Sequence, residues 1–184
     1  WSALDNGNVE ALKAAVASAS ADELGTVGSD GQTPLQAAIL QAKYECAKVL
    51  IASSAALGVP AAELSVYERV QADMEPGMED GEPTAPKDVE SEEYQAELAA
   101  EGLLPGLQEA DVAHTIKAII KIGLFHGGRD AVATESKAFD AQVGDRSGFG
   151  VCLMPKGDVY VGEYVAGQRS GAGALKTKSG TIYV

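Results

Sequence analysis

The residues best suited to chemistry lie near the carboxyl end, in YVGEYVAGQRSGAG, where Gly162, Gly167, Gly171 and Gly173 are interleaved with Tyr160, Tyr164 and Arg169. Closely spaced glycines let backbone amides approach a phosphate, and an arginine beside them would neutralise it. A phosphate loop of that kind also needs a strand before the glycines and a helix after them. In a second stretch, KIGLFHGGRD, His126 and Arg129 flank two glycines and could hold an anion. With no second histidine and no nucleophile near it, this stretch reads more simply as a turn that ends a helix. Asp158 and Glu163 flank Tyr160, but paired carboxylates work in a cleft, which hairpins seldom enclose. Cys46 and Cys152 sit in segments of different character, without the spacing of a zinc site or a disulfide framework, and read as small buried hydrophobes. No catalytic constellation emerges, and neither a metal nor a cofactor is expected.

The glycine-rich stretch has a copy. Shifted by 23 residues, Gly144, Arg146, Ser147, Gly148, Gly150, Gly157, Tyr160 and Val161 fall on Gly167, Arg169, Ser170, Gly171, Gly173, Gly180, Tyr183 and Val184. Such a period excludes a single-copy phosphate loop and points to a repeated structural unit. Around it, GDVYVGEYV and GALKTKSGTIYV alternate apolar and polar residues as hairpin strands do, with glycines serving tight turns and close strand approach. Arg146 and Arg169 recur with the unit, so a shared structural task, stacking on a tyrosine or bonding a turn carbonyl, is the expectation.

The elements that must position these residues differ along the chain. In LDNGNVEALKAAVASA, Val9, Leu12, Ala15 and Val16 keep helical spacing, with Asn6 or Asn8 as cap. In GQTPLQAAILQAKYECAKVLIASSA, Thr33 can cap and Pro34 start one short helix, and a second places Tyr44, Ala47, Val49, Leu50 and Ile51 along an apolar face. Residues 73–88 are rich in proline, glycine and acids without apolar period, which predicts a loop. SEEYQAELAAEG predicts a helix capped by Ser91, and DVAHTIKAIIKIGLF one capped by Asp111. The latter has Val112, Ile116, Ile119 and Ile120 on one face and His114, Lys117 and Lys121 on the other, an amphipathic helix that should dock on an open repeat end.

Charge is equally uneven. Residues 60–111 hold 15 acids against Arg69 and Lys87, a net −13; the rest of the chain has 27 − 15 = 12 acids and 14 − 2 = 12 bases. The acidity belongs to one segment, read as a solvated linker, and no basic face exists to bind nucleic acid. No apolar run reaches the roughly 18 residues of a spanning helix, so any membrane contact is peripheral.

Two resemblances follow from these motifs. Asp30, Gly31, Thr33, Pro34, Leu35 and Ala38, with residues 47–51, resemble an ankyrin repeat, and Ala3, Leu4, Gly7, Asn8, Val9, Glu10 and Leu12 are similar to the repeat before it. Lys43 and Gln36 depart from the family's glycine and histidine. Tyr160, Gly162, Tyr164, Gly167, Gly171, Gly173, Gly180 and Tyr183 closely resemble the MORN repeat. In the unit before it, over residues 137–159, Lys137 and Phe139 stand where tyrosine and glycine belong.

The expected fold is therefore α+β: ankyrin-like helical repeats over 1–56, an acidic linker with short helices over 57–110, an amphipathic docking helix over 111–126, and MORN-type antiparallel β-hairpins over 137–184. The start at Trp1 and the repeats cut at both ends suggest a processed or truncated intracellular chain. The resemblances imply a non-enzymatic scaffold bound to other proteins, such as an accessory subunit of a large, organellar, membrane-associated assembly. Tyr160, Tyr164, Arg169 and Tyr183 are its candidate partner-binding residues. One alternative is a membrane-surface tether that meets anionic lipid through Lys176 and Lys178, although residues 137–184 hold only six bases against four acids. Another is the regulatory part of a larger enzyme.

Overall fold

The computed structural model describes residues 2–79, 81–101, 116–117, 119–121, 123–129 and 146–184. Helices α1 (Ser2–Asp5), α2 (Val9–Ser18), α3 (Ala21–Gly25), α4 (Pro34–Leu40) and α5 (Tyr44–Ala52) come first, followed by a 3-10 turn over Ser54–Leu57. Asn8 caps α2, its side chain accepting from the Ala11 amide. At α4, Thr33 Oγ1 accepts from the Gln36 amide while Gln36 Oε1 accepts from the Thr33 amide, so Gln36 closes a capping box ahead of Pro34. The turn before it uses Gly31 at φ 78°. Between α4 and α5 the left-handed residue is Ala42 rather than Lys43. Lys43 instead sends Nζ to the carbonyls of Leu4 and Asp5, 3.0 Å each, tying α5 to the end of α1. Lys43→Ala strands those carbonyls and is expected to cost about 1–2 kcal/mol, read by thermal melting. Leu50 and Ile51 are fully buried as predicted, but Tyr44 is 54% exposed.

The acidic segment does not string out as a linker. It folds into α6 (Ala61–Asp73), a small hairpin of β1 (Gly77–Glu79) and β2 (Glu82–Thr84), and α7 (Glu92–Ala100), capped by Ser91. Val66, Tyr67, Val70, Val89, Tyr94 and Leu98 from this segment are buried in the common core. Its two cations hold it together. Arg69 pairs with Asp73 at 2.6 Å and Glu97 at 3.0 Å, Lys87 with Glu97 at 3.0 Å, and Tyr94 Oη donates to Asp73 at 2.9 Å. Burial alone would raise the Asp73 pKa, but hydrogen bonds from Arg69 and Tyr94 and the adjoining positive charges bring it below the usual carboxylate value. A depressed folded pKa stabilises above the unfolded value of about 3.9 and is lost as pH falls through the folded one. Below about pH 4, and in Arg69→Ala at neutral pH, α7 should therefore loosen while α4 and α5 hold, which hydrogen exchange resolves.

A five-stranded antiparallel sheet completes the fold, in the order β3 (Leu124–Arg129), β4 (Arg146–Leu153), β5 (Val159–Val165), β6 (Gln168–Lys176) and β7 (Ile182–Tyr183). Side chains alternate across it. Leu124, Val151, Leu153, Val159, Val161 and Ala174 join the helical core, and α4 and α5 lie against β6. Helix α4 is thereby enclosed, with Leu40 its one exposed residue. The tie to α6 is polar: Tyr67 Oη donates to the Met154 carbonyl at 2.6 Å.

KIGLFHGGRD is not mainly a turn. Helical residues end at 121, with Ile116 and Ile119 buried; Gly123 at φ 77° breaks the helix, and Leu124–Arg129 form strand β3. Its amphipathic face runs into the core as expected, while Asp111, Val112 and His114 lie outside the described residues. β3 pairs with β4, placing Phe125 opposite Cys152 and Gly127 opposite Gly150, as Tyr160 and Gly162 are placed in β5. The leading strand of the first unit therefore lies at Phe125 and Gly127, and Lys137 and Phe139, given that role from the sequence, lie outside the described residues. The spacing from Phe125 to Tyr160 is 160 − 125 = 35 residues instead of 23, an insertion of 12.

Candidate interaction surface

On the sheet face away from the helices, glycines form a row and aromatic rings lie over it. Gly127, Gly150, Gly162 and Gly173 are successive cross-strand partners. A β-carbon at Gly162 would stand 2.5 Å from Tyr160 Oη and 2.7 Å from the Gly173 Cα; one at Gly150 would run into the Phe125 ring. Only glycine leaves room for the rings to fold flat onto the backbone. Tyr164 meets Phe125 edge-on at 5.2 Å and Tyr160 at 5.5 Å. Arginines cover the layer: Arg146 stands 4.8 Å from the Phe125 ring centre and 5.8 Å from that of Tyr164, and Arg169 stands 4.5 Å from that of Tyr160. Beneath them Arg146 reaches Cys152 Sγ at 3.4 Å and Arg169 reaches Met154 Sδ at 3.3 Å.

The 23-residue period is thus a structural repeat. Gly148 and Gly171 have φ 70° and 58°, Gly157 and Gly180 φ 88° and 90°. The turn bond from the Gly157 amide to the Met154 carbonyl, 3.0 Å, recurs from Gly180 to Thr177 at 2.9 Å.

Of the residues singled out from the sequence, Tyr160 and Tyr164 are 9% and 2% exposed and serve as packing residues. Burial pushes the Tyr164 hydroxyl up to about 12 and raises that of Tyr160, so both stay neutral at ordinary pH. Tyr164 Oη is enclosed, and the Arg169 side chain on the facing strand is the polar group that opposes the rise in its pKa by hydrogen bonding. Arg169 and Tyr183 are exposed, Tyr183 at 60%. Lys176 and Lys178 do not share a free cationic face: Lys176 Nζ donates to the Ala52 carbonyl at the end of α5, and Lys178 pairs with Glu75.

The other candidates have structural employment. Glu163 Oε2 accepts from the Ala172 amide at 2.8 Å, holding the irregular register opposite Gly171, and Asp158 accepts from the Lys178 amide at 2.8 Å. His126 lies 3.6 Å from Glu63 of α6. Cys46 and Cys152 are buried free thiols. No group of three or more potential metal ligands occurs among the described residues. Phe125 is the site residue that sequence reasoning missed; its signal is the Phe-x-Gly of LFHGG, matching Tyr-x-Gly once an insertion is allowed. No protein-family model, curated protein or solved structure matches this chain.

Proposed function

We propose that this protein is a non-enzymatic interaction subunit in which ankyrin-type helix pairs and MORN-type hairpins are packed into one body. Support for the first repeat type comes from the Thr33–Gln36 capping box and the left-handed Gly31. Support for the second is the glycine row under edge-on aromatic rings, with turn glycines that recur after 23 residues at Gly148 and Gly171 and at Gly157 and Gly180. Because α4 lies against the sheet, the face that this helix offers is already used within the chain. Among the described residues, Arg169 and Tyr183 stand exposed on the strands farthest from β3, and this observation carries the proposal. Crosslinking in the native source, followed by mass spectrometry, should recover a stoichiometric protein partner. A monodisperse protein that crosslinks to nothing overturns this reading.

A membrane tether draws less support, since Lys176 and Lys178 are engaged by Ala52 and Glu75. Liposome flotation should be independent of anionic lipid and unchanged by Lys176→Glu with Lys178→Glu.

A further inference from the structure

We draw no further inference here: the strongest candidate, the surface of the β1–β2 hairpin where exposed Met78 lies opposite exposed Pro83 on a strand pair that also carries Glu79 and Glu82, carries nothing, because nothing in the structure shows what covers that apolar face and its acids by themselves select no ligand.

Discussion

Gly162→Ala should lower stability by on the order of 3 kcal/mol and Tm by roughly 6–12 °C. The added methyl has no direction of relief. It meets Tyr160 Oη at 2.5 Å, but also backbone, the Gly173 Cα at 2.7 Å and the Ala172 carbonyl oxygen at 2.8 Å. A side chain can swing away; two neighbouring strand atoms can move only if β5 and β6 part, and with them goes the seat of the Tyr160 ring under Arg169. Gly148→Ala is the useful contrast. Its β-carbon meets nothing within 4 Å, so that variant feels only the left-handed backbone at φ 70° and should cost about 1 kcal/mol. Equal losses in calorimetry for the two would mean the glycine row is about backbone conformation and not about the rings.

Tyr164→Ala should cost about 3–5 kcal/mol, because it empties the centre of the aromatic layer and leaves Phe125 and Tyr160 without their shared edge contact. Tyr164→Phe should change stability by no more than about 1 kcal/mol in either direction, because the buried hydroxyl it removes loses its desolvation cost together with its contact to the Arg169 side chain directly across the strand pair. The pair separates packing from polar function, since a hydroxyl that served a ligand would make the phenylalanine variant lose binding while keeping its melting temperature. Alkaline titration offers a further check. The Tyr164 hydroxyl stays protonated to about 12 in the fold but ionises near 10 once unfolded, so it takes about 1.4 kcal/mol per pH unit from stability between those values.

Local signals were legible wherever a residue type answers a local need. Asn8, Thr33 and Ser91 cap the helices they precede because an amide two or three residues on needs an acceptor. The 23-residue copy fixed the hairpins, because left-handed turns at Gly157 and Gly180 demand glycine at equal intervals. Two things were not legible. Composition marked residues 60–111 as solvated, yet a few apolar residues at helical spacing, Val66, Tyr67 and Val70, suffice to anchor the segment once Arg69 and Lys87 gather its acids. Strand β3 was hidden by an insertion, which costs a sheet little because loop closure grows only slowly with length.

The sequence by itself determined the helices α2, α4, α5 and α7, the α+β class and the repeated glycine–aromatic unit, since these depend on neighbours a few residues away or on a copy at fixed distance. Only the tertiary structure decided which surfaces remain open. It laid α4 against the sheet, gave Lys176 to the end of α5 and Lys178 to Glu75, and left the side chains of Arg169 and Tyr183 exposed. Burial is a property of what packs across the chain, between residues more than a hundred positions apart such as Lys176 and Ala52, and no local pattern records it.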